Sequence, residues 1–215
     1  MGLAGGWAQV GEGSETAKVS SAYIPVQHFD VTNLPWETVR AALQPIFADL
    51  KTVKVAHNAS YDLGMLARYG LTVAGELVDT MVAEWLIDPG SRGLGLKDLA
   101  WTRLKTEMTR ITDLIGTGKA QITMDQVPAA TAGAYAGADA AMTLRLAEVL
   151  LPEVHEKGLD NLLRNVEMPL VPVLVDIERT GVKIDTGFLQ QMSVELTARV
   201  RKLEREIQEI AGLAF

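Results

Sequence analysis

Cysteine is absent from this 215-residue sequence. Its absence excludes a disulfide framework and any thiolate-held metal, and it fits a reducing compartment such as the cytoplasm. Long apolar runs are missing as well. No stretch approaches the roughly 18 residues that a membrane-spanning helix needs. Residues Met1 to Trp7 carry no basic segment, so no secretory signal is expected there. Gly6 stands where a myristoylation motif requires Ser or Thr. Positive charge is in deficit: the net charge is −7, with 20 Lys and Arg against 27 Asp and Glu. That balance argues against a broad basic surface gripping a nucleic-acid duplex. It is compatible with an acidic pocket that holds divalent cations and receives a single strand. What remains is 48% hydrophobic and 22% charged, the composition of a soluble globular chain with a substantial core.

Along the chain, Leu3–Val10 and Ala22–Val26 read as strands joined by a turn at Gly11–Glu15. A helix follows Pro35 through Trp36, Val39, Leu43 and Phe47, with Asn33 as its cap. Thr52–His57 reads as a short buried strand, Tyr61–Arg68 as a helix stopped at Gly70, and Asp79-Thr80 as a helix start. Short helices are expected at Leu96–Leu104 and Glu107–Ile115, and a long Ala-rich one from Pro128 to about Val154. Strands alternating with helices make this part α/β. Beyond Gly158 the pattern changes. Leu163, Val166, Leu170, Val173, Leu174 and Ile177 form an apolar stripe, and Leu189, Met192, Leu196, Val200, Leu203, Ile207 and Ile210 approach a heptad repeat. Opposite charges four apart (Glu195/Arg199, Lys202/Glu206, Arg205/Glu209) support that last helix by about 0.3 kcal/mol each.

Two segments carry residues suited to chemistry. In the first, Asn58 and Asp62 lie four apart where a strand leads into a helix, a common place for ligands in α/β proteins. A cap at Asn58 or Ser60 with Asp62 as a first-turn acid also accounts for that segment. In the second, Tyr135 and Asp139 share one helix face among Ala134, Ala136, Gly137, Ala138, Ala140 and Ala141. So little side-chain bulk lets another backbone approach closely, and a carboxylate in such surroundings needs a partner or a cation. A solvated Asp on the outer face is the simpler alternative. Asp79 reads as a helix cap rather than a ligand.

Taken in order, Asn58-x-x-Tyr61-Asp62 after a strand and Tyr135-x-x-x-Asp139 on a later helix resemble the second and third motifs of proofreading exonucleases. The run Glu167-Met168-Pro169-Leu170-Val171-Pro172-Val173-Leu174, then Ile177-Glu178-Arg179-Thr180-Gly181-Val182-Lys183-Ile184-Asp185, resembles the entry to the polymerase region of bacterial family A DNA polymerases. Leu196, Arg199, Leu203, Glu204, Ile207 and Ala211-Gly212 continue it into a first thumb helix. Ala22-Tyr23-Ile24-Pro25-Val26 and Asp79-Thr80-Met81 extend the likeness along essentially the whole chain.

The resemblance implies a ribonuclease H-like 3′-5′ exonuclease fold, a mixed sheet flanked by helices, over residues 1–157. The helical start of a polymerase domain follows over 158–215. It implies that Asp62 and Asp139 are catalytic and bind two divalent metal ions, Mg²⁺ or Mn²⁺. It implies that Tyr135 orients the attacking water, and that Asn58, Tyr61 and Leu66 contact DNA. The partners so implied are a single-stranded 3′ end and, through a longer monomeric polymerase of the bacterial cytoplasm and nucleoid, primer-template DNA.

One motif departs from the family. Its Asp-x-Glu belongs upstream of Leu3, on a central first strand, and the Asp176-Ile177-Glu178 found here follows the other motifs. The chain is therefore expected to be a fragment lacking that strand, with impaired metal binding, no activity in isolation and marginal stability. Two other readings stay open: an exonuclease-fold scaffold that positions DNA without cutting it, and a free-standing 3′-5′ exonuclease acting on RNA.

Overall fold

The computed structural model describes residues 2–9 and 18–213. Strands β1 (Gly2–Gln9) and β2 (Lys18–Pro25) pair antiparallel, from Gly2 opposite Pro25 to Gln9 opposite Lys18. The turn expected at Gly11–Glu15 lies outside the described residues. Helix α1 (Trp36–Ala48) leads to β3 (Lys54–Ala56), helix α2 (Ala59–Arg68) and β4 (Leu77–Asp79). β3 and β4 run parallel, with Ala56 opposite Asp79, and α2 lies in the crossover that a parallel pair requires. The mixed sheet thus takes the form of two small sheets, one antiparallel and one parallel. Helices α3 (Thr80–Ile87), α4 (Leu96–Leu104), α5 (Ile111–Ile115) and α6 (Ala129–Glu156) follow.

Asn33 does not cap α1, whose N-cap is Pro35 with no side-chain hydrogen bond. Its side chain instead closes the loop before the helix. Oδ1 accepts from the His28 amide and Nδ2 donates to the His28 carbonyl, both at 2.7 Å. A short polar side chain satisfies its own loop backbone more readily than a helix end beyond an intervening proline.

α6 lies against both sheets, and its small residues are the reason. A Cβ on Gly137 would stand 3.0 Å from Ser21 Oγ, and one on Gly133 would stand 3.2 Å from the Tyr23 ring. From the other side, a Cβ on Gly6 would meet the Ala140 backbone at 3.3 Å. At Gly6 strand backbone therefore rests almost directly on helix backbone, while Ser21 and Tyr23 side chains fill the space left by Gly137 and Gly133. The start of α6 is fastened to the loop after β2. Both carboxylate oxygens of Asp30 accept from the Ala129 amide at 3.1 Å. Buried His28 bridges Tyr23 Oη (2.6 Å) and the Val127 carbonyl (3.1 Å).

The core gathers Ala83, Leu86, Leu99, Leu146, Leu150, Val154, Leu163, Met168 and Val171, each large side chain there contributing about 1.5–3 kcal/mol by burial. An ion-paired clasp crosses its rim. Arg103 donates from Nε and Nη2 to the two oxygens of buried Glu84 (2.8 and 3.0 Å) and from Nη1 to Glu153 (2.9 Å), tying α4 to α3 and α6.

After α7 (Asp160–Leu162) the chain makes a π-helical turn, Leu163–Glu167, before α8 (Met168–Thr180). That turn corrects the apolar stripe read from spacing alone. The buried residues are Leu163, Met168, Val171 and Val175, whereas Val166, Leu170, Val173, Leu174 and Ile177 are exposed. A wider turn between Leu163 and Met168 shifts the phase of the face that meets the core. Two compact units result, residues 1–179 and 180–215. The second is built on α9 (Thr186–Ala211), capped by the Asp185 side chain accepting from the Phe188 amide at 2.9 Å and ended by left-handed Gly212. Among the three expected charge pairs, Lys202–Glu206 closes at 3.6 Å. Among the described residues no helix is long and apolar enough to cross a membrane.

Candidate active site

The parallel pairing of β3 with β4 brings two strand ends to one level, and each feeds a helix. Asp79, at the end of β4, is 2% exposed. Its carboxylate accepts from Met81 N (2.8 Å) at the start of α3, and from Asn58 N (3.1 Å) and Ala59 N (2.7 Å) at the start of α2. One carboxylate therefore caps two helices. The sequence reading of Asp79 as a cap holds, and the structure adds the second helix. Asn58 occupies the N-cap position of α2 in the left-handed region (φ 66°, ψ 58°), a conformation that Asn tolerates better than most residues. Its side chain makes no capping bond; the Asp79 carboxylate serves the amides there.

Asp62 lies in the first turn of α2. The residue is exposed overall, yet protein crowds its carboxyl. This desolvation, with the nearby Asp79 charge, pushes its pKa up to about 6. Tyr61 is exposed and Leu66 half-buried on the same helix.

On α6, Tyr135 and Asp139 are brought together as their spacing implies. Burial, the Asp139 charge and a hydrogen bond to Asp139 push the Tyr135 hydroxyl up to about 12, so it keeps its proton. A third residue joins them that the sequence did not single out. The Lys97 ammonium forms an ion pair with Asp139 Oδ1 and sits 4.4 Å above the centre of the Tyr135 ring. Lys97 is in the first turn of α4, where the helix dipole disfavours a cation. That misplaced charge was the available signal.

His57 is the second such residue. Its Nδ1 lies 2.9 Å from Thr80 Oγ1, which donates to the Ala56 carbonyl at 3.2 Å. Among the described residues the buried Nε2 has no hydrogen-bond partner. Burial pushes the ring's pKa down, against the opposing pull of Asp79, the Leu94 backbone and Asp139. Helix α6 packs against β3, and the Asp139 charge it carries acts on His57.

The donor chemistry at Asp62 and Asp139 suits a hard cation, since both offer carboxylate oxygens. Among the described residues, however, no hydrogen bond or ion pair joins the two. Among the described residues no group of three or more His, Cys, Asp or Glu is placed to hold a metal ion.

Residues 5–155 match the 3′-5′ exonuclease domain of the DNA polymerase A family. The chain belongs to that family. DNA polymerase I of Chloroflexus aurantiacus is 42% identical over 196 residues, covering 90% of this chain and 20% of the relative. The chain thus spans about a fifth of the length of the curated relatives it matches. The exonuclease family's fold recurs in solved structures. The POL domain of Pol1 from M. smegmatis, in complex with DNA primer-template and dNTP, aligns at TM-score 0.61 and 25% identity over 93% of this chain and 32% of that one. Brucella melitensis NrnC with bound Mg²⁺ aligns at TM-score 0.54 and 16% identity over 85% and 89%, a likeness of fold.

Proposed function

We propose that this chain is part of a bacterial DNA polymerase I, with residues 1–157 contributing to its proofreading 3′-5′ exonuclease and residues 158–215 opening its polymerase domain. The observation that carries the reading is the grouping of Tyr135 and Asp139 on α6, which packs against β3, within the region that matches the exonuclease family.

In this reading Asp62 and Asp139 would hold two divalent ions, Mg²⁺ or Mn²⁺, whose chemistry would be to activate a water and offset charge on the leaving oxygen of the phosphodiester. The protein's part is positioning. Tyr135 stays protonated across the physiological range, its one proton directed at Asp139, and its hydroxyl oxygen accepts from the water to orient it. Asp139 anchors that hydroxyl from one turn away. Asn58, Tyr61 and Leu66, on and before α2, meet the single-stranded 3′ end. The longer, monomeric polymerase acts on primer-template DNA in the cytoplasm and nucleoid. The upstream Asp-x-Glu of the family completes the metal site, and metal binding is weak without it.

A second reading has an observation of its own. Asp139 is already neutralised by Lys97, and no third acidic group joins it among the described residues, as suits a scaffold that positions DNA without cutting it. Metal-dependent release of nucleotides from the 3′ end of single-stranded DNA separates the two. Activity abolished by Asp62→Ala with Asp139→Ala supports the exonuclease. Its absence from a chain shown to be folded supports the scaffold.

A further inference from the structure

Lys97 needs an explanation that α4 does not provide. A cation in the first turn opposes the helix dipole, yet this one is directed at a carboxylate 42 residues away, on α6. The pair is sheltered, with side-chain exposures of 22% for Lys97 and 29% for Asp139. Shelter strengthens the attraction beyond that of a surface ion pair. The ammonium is held a second time by the face of the Tyr135 ring, 4.4 Å from its centre. The same positive charge therefore sits on both residues of the α6 constellation.

We propose that Lys97 is a built-in competitor for the divalent cation at Asp139, its ammonium occupying the carboxylate until a metal ion displaces it. The inference rests on the reading of Asp139 as a metal ligand. A divalent ion arriving at Oδ1 meets a like charge already bound there, so the two cannot share the oxygen without mutual repulsion. The half-site keeps its own charge balance without metal, and its affinity for metal is set by how readily Lys97 leaves. Lys97 is in this sense a positioning residue, acting through Asp139 rather than on substrate. A merely structural clasp between α4 and α6 makes the opposite prediction. Removing it loosens Asp139 and leaves metal affinity unchanged or weaker.

Mn²⁺ titration of the 215-residue chain, followed by the electron paramagnetic resonance of free Mn²⁺, reads the sign directly. Lys97→Met is expected to bind Mn²⁺ roughly tenfold more tightly than the parent chain. Lys97→Arg, which keeps the charge, should bind as weakly as the parent. The gain should vanish when Asp139→Asn is added to Lys97→Met. Circular dichroism melts establish that each variant is folded, and Lys97→Gln replaces the Met variant, with the same expectation, if that one does not fold. Unchanged or weaker affinity, no measurable binding by any variant, or a gain that survives Asp139→Asn overturns the proposal. The nuclease assay on the parent chain reads the other question independently. Tighter Mn²⁺ binding without nuclease activity keeps the competitor and removes the exonuclease reading. Nuclease activity with unchanged Mn²⁺ affinity does the reverse.

Discussion

The two longest helices, α6 with 28 residues and α9 with 26, have opposite fates. α6 has nine buried positions, among them Met142, Leu146, Leu150 and Val154, and it carries Tyr135 and Asp139 on its Ala-rich half. α9 has the more regular apolar pattern of the two, and none of its residues is buried. Leu196, Val200 and Ile207 are each about half exposed. A periodic apolar stripe states which face of a helix is available for packing; a partner element decides whether that face is buried. α6 meets its partners through glycines and alanines that allow strand backbone to lie on it. α9 presents its stripe to solvent in this chain. The contrast explains why Tyr135 and Asp139 are the better-placed residues although they lie on the less regular helix: a side chain held by packing on several sides keeps a fixed direction.

The largest effect should separate the helices outright. Leu150→Ala removes a side chain that is 0% exposed and should cost about 3–4 kcal/mol in chemical denaturation, by lost transfer energy and the cavity left behind. Leu196→Ala on α9 should cost less than about 0.5 kcal/mol in the same experiment, as surface substitutions do. Equal losses would show that α9 is packed in solution.

Next in size is the clasp that fastens α6 to its neighbours. Arg103→Met leaves Glu84, 4% exposed, as an uncompensated buried acid. The cost should be about 2 kcal/mol, below the full penalty of a broken buried pair because Arg103 itself is partly exposed. Glu84→Gln combined with Arg103→Met should recover part of that loss.

A smaller effect probes the close strand–helix approach. Gly6→Ala brings a methyl group to 3.3 Å from the Ala140 backbone, which cannot move aside as a flexible side chain can. About 1–2 kcal/mol should be lost through overpacking. A neutral result would mean that β1 does not sit this tightly on α6.

The smallest expected effect depends on pH. Asp62 has a folded pKa of about 6, above its ordinary 3.8, so the native chain binds its proton more tightly than the unfolded chain does. The carboxylate is thus a destabilising element above pH 6, and that burden fades as pH falls from about 6 to below 3.8. Asp62→Asn should raise the melting temperature at pH 8 by the equivalent of less than about 1 kcal/mol, given the exposure of the residue. The gain should be absent near pH 3.5. A gain that does not depend on pH would show that the carboxyl is not desolvated.

Much of the architecture was legible in the sequence because the signals were local. The helix expected at Leu96–Leu104 was found at those residues. The Ala-rich run became α6, and the strand–helix junction at His57–Asp62 formed where the apolar run gives way to Asn58. The likeness to polymerase A exonucleases was legible for the same reason, as ordered wording rather than geometry. Other features were hidden because they depend on distant pairing. Asn33 was read as a cap by its position, but its hydrogen bonds go to the His28 backbone. The stripe after Gly158 was read in an unbroken helical phase, and the π-helical turn at Leu163–Glu167 changed which residues are buried.

The site divides along the same line. By itself the sequence determined that Asn58 and Asp62 share a helix start and that Tyr135 and Asp139 share a helix face, because residues four apart on a helix are neighbours whatever the rest of the chain does. Tertiary structure alone decided that Asp79 would serve two helices, that His57 would be half-buried against Thr80, and that Lys97 would cross from α4 to occupy Asp139. Those outcomes rest on electrostatic and hydrogen-bond partners far apart in the chain. Such partners are set by how strands and helices pack, and no local pattern of residues records that packing.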